Sequence, residues 1–123
     1  MLGMLVGTVS AVMTHGVITA GPDGTVKEAA TIMRENGIAN VVVASKGKPL
    51  GILTQRDVLL RVTAEGLDPE KIKIKEVMTS PIITQTKDIT LLDAIRTMYE
   101  NKIRRLPILD EDGILIGIIT YRD

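Results

Sequence analysis

The sequence predicts an α+β fold made of two copies of one β-α-β-β-α unit. The first observation is an internal repeat, since VMT at Val12–Thr14 recurs at Val77–Thr79, about 65 residues later. The second is that GILTQRD, which ends at Asp57, returns as GIITYRD, which ends at Asp123. The third is that each copy contains an apolar stripe at helical spacing, followed by two segments rich in β-branched residues. Matches spread along the whole unit indicate duplication rather than biased composition.

Each copy begins with a short apolar segment, VIT in the first and IIT in the second, which predicts a strand. A helix follows, from about Val26 to Asn36 in the first copy. Thr25 and Glu28 form a T-x-x-E capping box before it, and Gly37 is suited to end it. In the second copy TLLD takes the capping positions, with Thr90 as the cap and Asp93 third after it.

Two strands come next in each copy and predict a hairpin. IANVVVA and LGILT flank the turn SKGKP, while IRRLPIL and ILIGIIT flank DEDG. A second helix with apolar Val58, Leu59 and Val62 follows GILTQRD, but the second copy lacks this helix. We therefore divide the chain into a first repeat (1–66), a mixed-charge linker (67–73) and a second repeat without its last helix (74–123).

Neither repeat contains enough strands to bury a core alone, so we expect the two sheets to pack together with pseudo-two-fold symmetry. The apolar surface left by the missing helix favours self-association. The other explanation of the missing helix is that the chain is truncated. Weak ligand binding near GIITYRD would then be a property of the fragment rather than of the natural protein.

The composition excludes several classes of function. The 123 residues include 15 basic and 15 acidic side chains, so no net field attracts nucleic acid or an anionic membrane. Cysteine is absent, which excludes disulfides and thiolate chemistry and suits a cytoplasmic location. Residues 1–22 contain no acidic residue, lysine or arginine, but polar residues and glycines interrupt them and a basic n-region is missing. We expect this segment to be part of the fold, not a signal peptide or membrane span.

The repeated stretches VMTHGVIT and VMTSPIIT, the two helix-and-hairpin sequences, and the two G-h-x-T-x-x-D phrases (h, apolar) resemble a tandem CBS-domain protein of the stand-alone archaeal or bacterial type. The resemblance covers nearly the whole chain. It implies adenosine-containing ligands, such as AMP, ADP, ATP or S-adenosylmethionine derivatives, in clefts between the two repeats. It also implies a homodimer of modules, and a regulatory function in which ligand binding changes conformation or dimer arrangement and an unknown regulated protein responds.

The phrase GILTQRD has two compatible interpretations. Thr54 and Asp57 are a helix-start pattern, with a capping hydroxyl and an acid in the first turn. A helix N-terminus also presents unpaired N–H groups to phosphate, and Gly51 would let a ligand approach the backbone. The resemblance implies that the threonine hydroxyl contacts phosphate or ribose and that the aspartate accepts the two ribose hydroxyls.

The resemblance places residues of both repeats in each cleft. Cleft A comprises Thr54, Asp57, Ile82, Ile83, Thr84, Arg104 and Arg105. Cleft B comprises Val17, Ile18, Thr19, Ala39, Asn40, Thr120 and Asp123. Only cleft A has a basic pair, and arginine binds phosphate strongly, so a phosphorylated ligand, with AMP preferred, is expected there. Cleft B is expected to bind weakly or to take an unphosphorylated compound. The alternative for the arginines is solvation or ion pairs with Glu100 or Asp110.

No other residues predict an active site. His15, the single histidine, is interpreted as an exposed loop residue rather than a ligand contact. Asp110, Glu111 and Asp112 before Gly113 are interpreted as an exposed turn, with a Mg²⁺ site as the alternative. We expect no enzyme and no required cofactor, although Mg²⁺ would accompany ATP. The alternative to nucleotide sensing is a structural dimerisation module with vestigial clefts.

Overall fold

A computed structural model describes residues 7–121 and has the predicted α+β class. Its helices are α1 (Val26–Asn36), α2 (Gln55–Val58), α3 (Ile74–Val77) and α4 (Leu91–Asn101). Its strands are β1 (Thr19–Ala20), β2 (Asn40–Ser45), β3 (Lys48–Thr54), β4 (Gln85–Thr86), β5 (Arg105–Leu109) and β6 (Leu115–Thr120). A 3-10 helix spans Val9–Ala11, and α2 continues into a π-helix at Leu59–Thr63.

Each repeat forms a three-stranded sheet, in the order β1-β2-β3 or β4-β5-β6. The first two strands of each sheet are parallel and joined by α1 or α4, since parallel neighbours need a crossover connection. The last two are the predicted antiparallel hairpins. In the first hairpin Lys46 and Gly47 have φ of 53° and 79°, the left-handed conformation that a two-residue turn requires.

The capping interactions of the long helices are confirmed. Thr25 Oγ1 accepts the Glu28 N–H at 3.1 Å, and a Glu28 carboxylate oxygen accepts the Thr25 N–H at 3.1 Å. Gly37 has φ of 61° and ends α1 as predicted. At α4, Thr90 Oγ1 accepts the Asp93 N–H at 3.0 Å.

The packing units differ from the division of the chain into repeats. One compact unit contains residues 18–82, and the other contains residues 7–17 with 83–121 among the described residues. We call them the first and the second unit. Ile74 and Val77, which follow the linker of the sequence division, are buried at 0% and 6% exposure in the core of the first unit. Because these side chains are buried there, the segment belongs to the first unit, although by sequence it begins the second repeat.

The second unit has a matching arrangement. Val9 and Met13 precede the first sheet along the chain, yet they are buried with Ala94, Met98 and Leu106 in the core of the second unit. Each VMT segment (Val12–Thr14 or Val77–Thr79) therefore packs in the unit that contains the hairpin of the other repeat.

Candidate functional site

GILTQRD connects β3 to α2, and its structural interpretation is confirmed. The Asp57 N–H donates to Thr54 Oγ1 at 3.0 Å, and the Thr54 N–H donates to Asp57 Oδ2 at 3.0 Å. The Gln55 N–H donates to the Ala39 carbonyl at 2.9 Å. The prediction of unpaired N–H groups is therefore wrong for Gln55 and Asp57. With only four α-helical residues in α2, this helix start gives little support for phosphate binding.

Asp57 is the one charged side chain that is buried among the described residues, at 7% exposure. Thr79 Oγ1 donates to its carboxylate, at 3.1 Å from Oδ1 and 3.2 Å from Oδ2. Arg61 Nε lies 3.8 Å from Oδ1. Arg61 Nη1 also donates to the carbonyls of Val77 and Met78, at 3.2 and 3.3 Å. A buried carboxylate needs such partners, because an unpaired charge is costly away from water.

The glycine that begins GILTQRD makes room for the VMT segment. Ile52 and Thr79 exchange two backbone hydrogen bonds, at 3.0 and 2.9 Å. A Cβ atom on Gly51 would lie 2.7 Å from the Thr79 carbonyl oxygen and 2.8 Å from Met78 Sδ. The interpretation that Gly51 lets a ligand approach the backbone is therefore corrected, since Met78 and Thr79 occupy that space.

Within GIITYRD, Gly117 and Ile118 have the equivalent neighbours in the second unit. Thr14 and Ile118 exchange backbone hydrogen bonds at 2.9 and 3.0 Å, and a Cβ on Gly117 would meet Sδ and Cγ of Met13. Thr120 is exposed at the end of β6. Asp123, predicted in cleft B, lies outside the described residues.

The other predicted site residues are divided between the units. The first unit contains Ile18, Thr19, Ala39, Asn40, Thr54, Asp57 and Ile82. The second contains Val17, Ile83, Thr84, Arg104, Arg105 and Thr120. Asn40 pairs with Thr54, and Arg105 pairs with Thr120, so each unit brings residues of clefts A and B side by side. Arg105 is half-buried in β5, whereas Arg104 is exposed just before it. The grouping of these residues into two clefts stays a prediction.

Thr79 and Arg61 are contacts of Asp57 that sequence reasoning missed. Thr79 belongs to the repeated VMT phrase, so the repeat was a usable indication of its importance. Arg61 lies four residues after Asp57 on the same helical face, a spacing that favours an ion pair.

The end of each long helix borders an apolar groove within its own unit. The larger groove has a volume of about 620 Å³ and is lined by residues including Met33, Ile38, Val58 and Leu59. The groove of the second unit measures about 400 Å³ and is lined by residues including Met98, Ile103 and Tyr121. Neither lining includes Asp57, so the grooves are separate from the carboxylate described above.

Other candidates for chemistry have structural explanations. His15 is exposed, as expected. Asp110 Oδ1 accepts the N–H groups of Asp112 and Ile114 at 2.8 and 3.0 Å, which confirms the predicted turn. A hydrogen bond from its own backbone and the Lys87 ammonium lower the pKa of Glu111. Within residues 7–121 no group of three or more histidine or acidic side chains could hold a metal ion, so a protein-held Mg²⁺ has no support.

A profile of the CBS domain matches this chain twice, at residues 9–64 and 74–123. The chain belongs to the CBS-domain family. The predicted resemblance is thereby confirmed, and the two matches correspond to the two repeats. No helix of this CBS chain, within the part that the structure describes, is long and apolar enough to cross a membrane.

Relatives of this CBS chain include proteins of different length. It is 37% identical over 111 residues to the CBS domain-containing protein YhcV of Bacillus subtilis, covering 90% of this chain and 78% of YhcV. It is 40% identical over 117 residues to an uncharacterized protein of Methanopyrus kandleri, covering 94% of this chain and 60% of that protein. It is 39% identical over 113 residues to inosine-5'-monophosphate dehydrogenase of Methanocaldococcus jannaschii, covering 91% of this chain but only 22% of the enzyme.

Solved structures share the fold of this CBS chain. Hypoxic Response Protein I, crystallised with two coordinated zinc ions, matches with a TM-score of 0.83 and 30% identity over 92% of both chains. The CBS domain protein PAE2072 of Pyrobaculum aerophilum, complexed with AMP, matches with a TM-score of 0.81 and 22% identity, covering 92% of this chain and 86% of that one.

Proposed function

We propose that this CBS pair is a regulatory module that binds an adenosine-containing ligand through Asp57. The supporting observation is that the buried Asp57 carboxylate accepts an alcohol hydroxyl from Thr79 on both oxygens. A ribose also has hydroxyl groups that can donate. An ionised carboxylate can only accept hydrogen bonds, so it would bind ribose hydroxyls in the way it binds the Thr79 hydroxyl. The capping box with Thr54 holds the carboxylate in a fixed orientation in the first turn of α2.

AMP is the ligand that we propose for Asp57. PAE2072 has the same fold and is complexed with AMP, and at 22% identity this supports the ligand class by analogy alone. The arginines of the predicted cleft A supply the second argument. Arg105 is the better candidate for the phosphate, because it is half-buried within β5. A guanidinium that is partly withdrawn from water binds phosphate more strongly than an exposed one.

We also propose that the module forms a homodimer, which is the core of the alternative function as a structural dimerisation module. Leu59 and Leu60, just after α2, are 59% and 45% exposed, and Tyr99 on α4 is 85% exposed. Leu59 lines the groove of the first unit and Tyr99 lines the groove of the second, and exposed apolar side chains beside a groove favour a protein contact. A hexameric CBS-CP12 protein from bloom-forming cyanobacteria has the same fold, with a TM-score of 0.78 and 27% identity, which supports self-association in general rather than a dimer in particular. The regulated protein and the cytoplasmic location stay predictions, as does the absence of an enzymatic activity.

The test measures thermal melting and molar mass of the chain at increasing AMP concentration. Binding to the native state raises the melting temperature progressively with ligand concentration. Asp57→Asn and Arg105→Ala should each weaken AMP binding about tenfold or more, because each removes a charge-assisted hydrogen bond. Arg96→Ala is the matched control, since Arg96 is an exposed cation outside both predicted clefts, and its affinity should not change.

Unchanged AMP affinity in both Asp57→Asn and Arg105→Ala would contradict the assignment of cleft A. A dimeric wild-type chain that shows no melting shift with AMP, ADP, ATP or S-adenosylmethionine would favour the structural module. Circular dichroism of each variant separates lost binding from lost folding, which matters for Asp57 because it completes the capping box of α2 with Thr54.

A further inference from the structure

We propose that Thr79 regulates ligand binding by covering the Asp57 carboxylate, so that an incoming ribose must displace the Thr79 hydroxyl. The inference rests on the proposed function, because it concerns the same carboxylate. It assigns a role to the VMT segment Val77–Thr79: the segment closes the site when no ligand is bound and loses one contact when a ligand binds.

The position of the hydroxyl is the first argument. Thr79 Oγ1 lies 3.1 Å from Oδ1 and 3.2 Å from Oδ2 of Asp57, so it sits between the two oxygens rather than behind one of them. A carboxylate that binds a vicinal diol accepts one O–H on each oxygen, from this same open end. The hydroxyl therefore occupies the place that the two ribose hydroxyls would need.

Burial is the second argument. Asp57 is buried, at 7% exposure, whereas Thr79 is exposed. The residue that donates to the carboxylate is therefore more accessible to solvent than the carboxylate itself. The exchange replaces one alcohol donor by others, so Asp57 is not left with an unpaired buried charge in the bound state.

The remaining contacts of the segment explain how occupancy could be transmitted. The backbone pair of Thr79 with Ile52 and the bonds from Arg61 to the carbonyls of Val77 and Met78 do not involve the hydroxyl. Displacement would thus loosen the Thr79 side chain without detaching the segment. Residues 80–82 follow Thr79 directly and lead to Ile83, where the second unit resumes. Ligand binding at Asp57 would thereby loosen the Thr79 side chain next to one of the two places where the chain passes between the units, the other being at Val17–Ile18.

The test compares the wild-type chain with Thr79→Val and Thr79→Ser, using isothermal titration with AMP. Valine keeps the branched shape but removes the hydroxyl, so the ligand no longer competes with it. Thr79→Val should bind AMP about tenfold to a hundredfold more tightly, in line with the loss of one competing hydrogen bond to a charged group. Serine restores the hydroxyl and should return the affinity to within about twofold of wild type. Without AMP, Thr79→Val should melt at a lower temperature than Thr79→Ser.

The outcomes separate this inference from the proposed function. Wild-type binding of AMP together with equal or weaker binding by Thr79→Val would overturn the role of Thr79 and leave the proposed function standing. Absence of AMP binding in every variant would overturn both. Thr79→Ala removes the same hydroxyl with a smaller side chain and decides the matter if the valine variant does not fold.

Discussion

At the scale of single residues, Gly51 and Gly117 determine where the two VMT segments can pack. Both glycines lie in a strand of a hairpin and are buried. Neither requires a positive φ, so their role is steric. The nearest atoms differ in kind, because a Cβ on Gly51 would meet a backbone oxygen and a thioether, whereas the three atoms nearest a Cβ on Gly117 all belong to the Met13 side chain. A backbone segment held by two hydrogen bonds is displaced less easily than a methionine side chain, which can rotate about three bonds.

Gly51→Ala should therefore lower the free energy of unfolding by about 1–3 kcal/mol, the usual cost of forcing an extra carbon into a packed site. Gly117→Ala should cost less, because Met13 can move aside. Urea denaturation followed by circular dichroism measures both values. Gly21→Ala is the control, since a Cβ there has no neighbour within 4 Å and its φ is not positive. Equal losses at Gly51 and Gly21 would show that the VMT segment does not restrict Gly51.

Residue-level reasoning could find Thr54 and Asp57 because their interaction is local, three residues apart in the chain. It could not find the Thr79 hydroxyl, which reaches Asp57 from 22 residues away. A long-range contact of that kind depends on the tertiary fold of the chain, and neither periodicity nor capping rules predict it. The same limit explains why Gly51 was interpreted as leaving room for a ligand. The sequence indicates that a glycine is needed there, but it does not indicate which atoms approach it.

At the scale of elements, the two long helices end in the same backbone conformation with different residues. Gly37 has φ of 61° and Lys102 has φ of 55°. The sequence predicted the first end because glycine tolerates the left-handed region, and it gave no comparable indication at Lys102. The buried α3 was also missed, because the mixed-charge KIKIKEV stretch has little helical periodicity and Ile74 is buried by tertiary packing.

Lys102→Gly should raise the free energy of unfolding by about 0.5–1 kcal/mol, because a residue with a Cβ is strained in the left-handed conformation. Chemical denaturation of the full chain provides the measurement. Lys102→Ala is the matched control: it removes the same charge and keeps the Cβ, so it should give no such gain. An equal gain from alanine would attribute the effect to charge rather than to backbone strain.

At the scale of the whole molecule, sequence repeat and packing unit are different divisions of the chain. The repeat was visible because its phrases recur in register, and it defines residues 1–66 as one copy. The first unit instead contains residues 18–82, since α3 completes the core beneath the first sheet. Val26, Met33 and Val41 share that core with Ile74 and Val77. A domain of this size has little apolar burial to spare, so losing α3 should matter more than losing the residues before β1.

We therefore expect a fragment of residues 18–82 to fold and a fragment of residues 1–66, of nearly the same length, to remain unfolded. The first retains Ile74 and Val77, whereas the second lacks both and exposes the core face that they cover. Cooperative urea unfolding and dispersed amide signals in NMR spectra identify the folded fragment. Ile74→Ala within residues 18–82 is the internal control, and it should cost about 2–5 kcal/mol, enough to abolish folding of so small a unit. Cooperative folding of residues 1–66 would instead make the sequence repeat the folding unit.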